Sequence, residues 1–194
     1  MKIKSILLVV PLLTALSASA NQSDFYIGAG LGTGGIDTDI AKDIPIPMTI
    51  DSEGTPIFIN AGYKLNPYVS FETKLQKHGD ISFKSPLAKN EYKWSPKSLS
   101  FNVNVSYPIT EFLSPFVSVG VGYISLDENQ DSIDKDTGAT FTYGLGLEFT
   151  PDFLGPVSFN VAYHAEQFDL ESKANNKDYS VTLDTYSVNI KYNF

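Results

Sequence analysis

Eight stretches of this chain alternate large apolar residues with small or polar ones at a period of two, and that pattern excludes most folds. Phe25, Ile27, Ala29 and Leu31 interleave with Tyr26, Gly28, Gly30 and Gly32. Ile57, Ile59, Ala61 and Tyr63 interleave with Phe58, Asn60, Gly62 and Lys64. Val69, Phe71, Thr73 and Leu75 oppose Ser70, Glu72, Lys74 and Gln76, and Leu99 to Tyr107 repeats the alternation without a fault against Ser98 to Ser106. The pattern continues through Val117–Tyr123, Phe141–Phe149, Val157–Tyr163 and Tyr186–Phe194. Successive side chains of a strand point to opposite faces, so each stretch reads as a strand with one apolar face.

The connections add an independent constraint. Only Asn66-Pro67 separates the second and third stretches, Pro108 to Phe112 the fourth and fifth, and Pro151 to Gly155 the sixth and seventh. The remaining connections are long and mostly polar: roughly Thr33 to Gly54, His78 to Ser95, Asp127 to Gly138 and Phe168 to Tyr179. Short and long alternate throughout, as an even-stranded up-and-down barrel in a membrane requires. Strands of ~9–11 residues also match the length of a tilted strand crossing a bilayer. No window after Ala20 carries apolar residues at helical spacing, and no stretch there is long and apolar enough for a transmembrane helix.

The N-terminus belongs to a different argument. Lys2 and Lys4 precede the apolar run Ile6 to Leu16, and Ala18-Ser19-Ala20 fits a small-residue cleavage site. Residues 1–20 therefore read as a secretory signal peptide, and 21–194 as one barrel domain. The chain has no cysteine, so no disulfide framework supports it. Its formal charge of −8 becomes more negative once two lysines and no acid leave with the signal peptide. That balance excludes nucleic acid as a partner, because phosphates are neutralised by Lys and Arg.

A soluble lipocalin-like barrel also alternates, but with its apolar face inward. Here the second face is Gly, Ser, Asn, Thr, Lys and Glu, which suits the filled interior of a narrow barrel. Tyr63, Tyr107, Phe149, Tyr192 and Phe194 fall at the turn ends of the strands, and Tyr123, Phe141, Tyr163 and Tyr186 nearer the loop ends. Two aromatic girdles around an apolar band are the membrane arrangement. The expected fold is all-β: an eight-stranded antiparallel up-and-down transmembrane barrel.

With those segments in place, the chain resembles the small eight-stranded outer-membrane barrels of Gram-negative bacteria, the OmpA/OmpX type, over its whole mature length. The most specific marker is the end, Tyr186-Ser-Val188-Asn-Ile190-Lys-Tyr192-Asn-Phe194. It is similar to the C-terminal assembly signal of that family, with Asn189 where a Gly is common. The resemblance implies insertion by the barrel assembly machinery, both termini in the periplasm, contact with outer-membrane lipid and lipopolysaccharide, and a monomer.

Candidate sites are of three kinds. Lys64, Glu72, Lys74, Glu148, His164, Glu166 and Lys191 share the inward parity, and mixed signs in a narrow interior imply paired charges rather than a solute path. His164 and Glu166 lie two apart on one face; lipid A deacylases carry a Ser at the position Glu166 occupies, so the nucleophile of that pattern is missing. The long connections are acidic, with Asp37, Asp39 and Asp43, then Asp127 to Asp136, then Asp169 to Asp178. The third long connection lacks the Gly and closing Glu of a calcium loop, so no defined metal site and no cofactor are expected. The first also holds Ile40, Ile44, Ile46, Met48 and Ile50, an apolar content suited to contact or to packing over the barrel mouth.

The leading expectation is a non-enzymatic surface protein whose loops mediate adhesion, host or envelope interaction, with a role in envelope integrity. Passage of small or hydrophobic solutes is the second reading, and acyl chemistry on lipid A the third.

Overall fold

The computed structural model describes residues 24–38, 49–84, 92–128, 137–171 and 178–194. Ten strands follow in order: β1 (Phe25–Thr38), β2 (Thr49–Glu53), β3 (Ile57–Asn66), β4 (Val69–Lys77), β5 (Asp80–Lys84), β6 (Tyr92–Ser106), β7 (Leu113–Glu128), β8 (Thr137–Phe149), β9 (Val157–Glu171) and β10 (Asp178–Asn193). Eight of them close a ring, β1-β3-β4-β6-β7-β8-β9-β10, with β10 returning to β1. All pairings are antiparallel, so the expected eight-stranded up-and-down barrel is the fold observed.

The other two strands depart from the sequence reading. β2 pairs with β5, and β5 with the outer end of β6, within segments expected to be loop. The ring strands themselves also run further than expected, β1 to Thr38, β7 to Glu128 and β9 to Glu171. Much of what composition marked as connection is therefore continued strand. Asp39, Asp43, Ile40, Ile44, Ile46, Met48, the third-connection acids Asp131, Asp134 and Asp136, and the cleavage region all lie outside the described residues.

Each short turn has a local cause. The Asn66 carboxamide oxygen accepts from the backbone N–H of Tyr68 (2.8 Å) and Val69 (2.9 Å), a side-chain mimic of a turn, and the register shifts between Lys64 and Asn66. After β8 a single 3₁₀ turn, Asp152–Leu154, ends at Gly155, whose φ of 58° favours glycine. Closure brings the chain ends together: Phe194 N–H donates to the Phe25 carbonyl at 3.0 Å.

The two faces sort as the alternation requires. Leu31, Ile59, Leu75, Phe101, Val121, Leu145, Val161 and Ile190 stand exposed on the outer wall, where a water-soluble protein would not place so continuous an apolar band. Tyr163 and Tyr186 face each other across β9 and β10 with ring centroids 5.1 Å apart, and Tyr192 meets Phe194 edge-on at 5.2 Å. Inside, a few large side chains such as Tyr26, Phe58, Lys74 and Phe116 share the lumen with Gly, Ser, Thr and Asn from every side of the ring. The glycines make the room that the rings occupy: a Cβ on Gly146 would lie 2.7 Å from Phe116, and one on Gly144 2.7 Å from the His164 ring.

Beyond the loop-end girdle the inward parity changes character. Ile81, Trp94, Ile124, Leu126, Phe168, Val181 and Leu183 form one buried apolar cluster, with Ile36 packed against it. These residues lie loopward of Tyr123, Tyr163 and Tyr186 on their strands. The barrel thus has a polar interior in its membrane part and a small apolar core closing its loop end.

Candidate functional site

β4 places Glu72, Lys74 and Gln76 on one inward row, and the strand alternation makes that row unavoidable. At its turn end the row joins a cluster from β1, β3, β8 and β10. The Lys191 ammonium donates to Glu148 at 2.8 Å and lies 3.8 Å from Glu72. Lys64, more open to solvent, reaches the other Glu148 oxygen at 3.5 Å. Glu72 also accepts from the Tyr26 hydroxyl (2.9 Å) and the Asn60 amide (2.8 Å). Lys191 sits 4.7 Å over the Tyr26 ring, a cation–π contact in a nearly dry space.

A second cluster closes the row at its loop end. Glu166 on β9 accepts from Ser98 on β6 at 3.0 Å, and His78 Nε2 stands 3.2 Å from Ser98 Oγ and 3.6 Å from the second Glu166 oxygen. Gln76 joins His78 Nδ1 (3.1 Å) to Thr185 on β10 (3.1 Å). Glu166, Gln76, Ser98 and Thr185 are each at most 2% exposed, and this layer forms the floor beneath the apolar core. Between the two clusters Lys74, only 3% exposed, holds its ammonium 5.5 Å over the Phe58 ring.

Three lysines thus face three glutamates inside the described barrel. Burying charge requires such balance, because an uncompensated ion in a low-dielectric interior is costly. All seven residues singled out for the interior lie on the inward face of their strands, but they do not form one network. Lys64, Glu72, Glu148 and Lys191 come together, Glu166 stands with other partners, and Lys74 lies between.

The histidine beside Glu166 is not the expected one. His164 points in over Gly144, whereas His78, in a segment whose composition reads as connection, makes the contact. The sequence carries a signal for it: His78 continues the Glu72, Lys74 and Gln76 parity one step beyond the expected strand. Tyr26, Phe58 and Asn60 join the charged residues as partners; their parity with Gly28, Gly30 and Gly62 sets them inward, but nothing local in the sequence marks them as contacts of Glu72 and Lys74.

The loop-end layer brings a Ser, a His and a Glu within reach of one another, so its chemistry needs comment. In a nucleophilic triad the imidazole bridges hydroxyl and carboxylate through different nitrogens. Here Nε2 faces both, Nδ1 is taken by Gln76, and Ser98 donates to Glu166 directly. That arrangement is a buried polar network rather than a triad, and among the described residues it leaves Gln76 Oε1 and the second Glu166 oxygen without a hydrogen-bond donor. Among the described residues no group of three His, Cys, Asp or Glu is placed to hold a metal ion.

Comparison with known proteins agrees with this architecture. The model of the outer membrane protein beta-barrel domain family matches residues 5–194. Outer membrane protein A of Buchnera aphidicola is 34% identical over 127 residues, covering 59% of this chain and 35% of that protein. The same-named protein of Salmonella typhi is 27% identical over 154 residues, covering 72% of this chain and 41% of that protein. The chain therefore spans about two fifths or less of the length of these relatives. Among solved structures, Neisserial surface protein A superposes with a TM-score of 0.64 at 15% identity, covering 89% of this chain and 98% of that one. Ail, the attachment invasion locus protein of Yersinia pestis, gives 0.50 at 13%, covering 88% and 99%. At such identities the structures speak for the fold alone, but the family match covers nearly the whole sequence. This chain, with its lipid-facing apolar wall and ion-paired interior, belongs to the outer membrane protein beta-barrel domain family.

Proposed function

We propose that this outer-membrane protein is a sealed, non-catalytic barrel whose loop end is a contact surface, mediating adhesion to cells or to the surrounding envelope. The observation that carries this reading is the filled interior: balanced ion pairs below, and the apolar core of Ile81, Trp94, Leu126, Phe168 and Leu183 above. An eight-stranded barrel is only wide enough to be filled by its side chains. A polar solute entering from the loop end would have to cross that apolar core. What varies freely on such a scaffold is the set of long connections, and rigid scaffolds carry binding residues on loops. Ail, whose fold this barrel shares, is named an attachment protein, which supports the reading.

Both termini are placed in the periplasm on this reading, with the long connections outside. Tags inserted near Asp43, Lys89, Asp134 and Asn175 are expected to be labelled on intact cells, and tags near Asn66, Glu111 and Asp152 to stay silent. The functional test compares binding of cells with and without the protein to host cells and to isolated lipopolysaccharide. Replacing the long connections with short polar turns should abolish binding while the barrel still inserts. Unchanged binding by that variant would refute the proposal.

One observation favours the second reading, passage of a hydrophobic solute. The β1–β3 ladder ends at Leu31 and Ile57, with Gly32 N–H still donating to the Pro56 carbonyl, while β2 turns aside to pair with β5. That seam lies beside the apolar core through Ile36. Uptake of an alkane-like dye that depends on the protein, with no cell binding, would put this reading first. Acyl chemistry on lipid A has only the Ser98–His78–Glu166 layer to stand on, and its burial and bonding pattern leave no nucleophile presented to a lipid. Lipid A composition is accordingly expected to be the same in cells with and without the protein.

A further inference from the structure

We propose that a dent in the lipid-facing wall of the barrel, floored by Ala61 and Thr73, seats one acyl chain of a membrane phospholipid. Ala61 on β3 pairs directly with Thr73 on β4, so two short side chains lie side by side on the outer wall. Large outward residues surround them: Ile59 and Tyr63 along β3, Phe71 and Leu75 along β4, Ile27 across on β1 and Phe101 across on β6. The result is a groove of about 590 Å³, lined by Phe25, Tyr63, Phe71, Phe101 and Val103 around the Ala61–Thr73 floor. That volume is within the ~300–1,000 Å³ range of small-molecule sites, and the lining is as apolar as such sites are.

The occupant follows from position. The groove opens onto the apolar band already assigned to lipid, and it starts at the turn-end girdle, where the Phe25 and Tyr63 rings touch at 4.8 Å. A phospholipid whose ester region rests at those rings would run its upper methylenes over Ala61 and Thr73. A second copy of the barrel fits poorly. The floor is only two strands wide, at ~4.8 Å per strand, and the exposed rings of Phe71 and Phe101 hold a broad wall away from it. A narrow flexible chain reaches it. Within lipid there is no hydrophobic drive for this contact, so retention rests on close packing against the rings. The effect is a lipid that exchanges more slowly than its neighbours.

The test uses the full mature chain refolded into vesicles of phosphatidylethanolamine and phosphatidylglycerol, extracted with mild detergent and weighed by native mass spectrometry. One retained phospholipid per barrel is expected. Filling the dent with Ala61→Phe, or separately Thr73→Leu, should lower the lipid-bound fraction about tenfold. Val161→Phe, on the outer wall of β9, should leave it unchanged. A phospholipid with a photoreactive group near its ester end should label peptides carrying Tyr63, Phe71 or Phe101, which keeps the proposal testable if one variant inserts poorly. The proposal is overturned by equal lipid on parent and both filled variants, by equal loss in Val161→Phe, or by labelling spread evenly around the barrel. A parent dimer that Ala61→Phe dissociates would overturn it in favour of a second copy.

Discussion

Glu148→Gln is expected to lower the denaturant midpoint of the refolded barrel more than any other single change in the lumen. Glu148 holds two ammonium groups, Lys191 at 2.8 Å and Lys64 at 3.5 Å, so its loss leaves the interior with one positive charge in excess. Breaking a buried pair costs ~3–5 kcal/mol where the remaining charge cannot be solvated. Lys64 is about one-third exposed and can turn to water, which reduces its share. Lys191 cannot, and its remaining carboxylate, Glu72, is 3.8 Å away and already accepts from Tyr26 and Asn60. The double variant Glu148→Gln with Lys191→Met should therefore recover part of the loss, because it removes the stranded charge. Midpoints for parent, single and double variants in one detergent decide this, with planar-bilayer conductance recorded alongside. Unchanged midpoints with a gain in conductance would mean that the charges line a path, and the passage reading would then lead.

Phe168→Ala is the second large effect, and it is expected to act on the loop end alone. Phe168 is 3% exposed within the apolar core, and removing a buried Phe typically costs ~3–5 kcal/mol. The barrel wall below does not depend on it, since the β8–β9 and β9–β10 ladders run on to the turn end. Loss should therefore appear as opening of the core rather than collapse of the barrel. The chain's single tryptophan, Trp94, is buried in the same core and reports on it. Its emission is expected to shift to the red and become open to acrylamide, while far-ultraviolet circular dichroism keeps its β signature. If both signals are lost together, the core and the membrane barrel are one cooperative unit and the proposed division of the structure fails.

The C-terminus gives a smaller prediction with a clear contrast. Phe194 joins the wall through its backbone bond to Phe25 and its ring contact with Tyr192, both modest interactions. Phe194→Ala should thus cost little in detergent-refolded protein, yet sharply reduce the amount inserted in cells if the segment from Tyr186 is read during assembly. Equal losses in both settings would confine the residue to packing.

How far the sequence alone reached can be argued from particular residues. Side chains alternate strictly along a strand, so parity by itself assigned Phe101 and Leu145 to lipid and Asn102, Glu148 and Lys191 to the lumen. Turn chemistry was equally local: Asn66-Pro67 admits little except a tight turn. Strand ends were not legible, because a strand that leaves the membrane no longer needs an apolar outer face. Ile81, Trp94 and Phe168 fall in segments that composition labels as connection, and Ile124, Leu126, Val181 and Leu183 fall between the expected strands and those connections. Only the closed ring shows that Ile124, Leu126, Val181 and Leu183 converge with Trp94 and Phe168 on one buried point. The pairings inside the lumen were hidden for a related reason. Parity states which way Glu166 points, but whether His78 or His164 meets it depends on the register of four strands around the ring. That register is a property of the closed barrel, and no local stretch of sequence contains it.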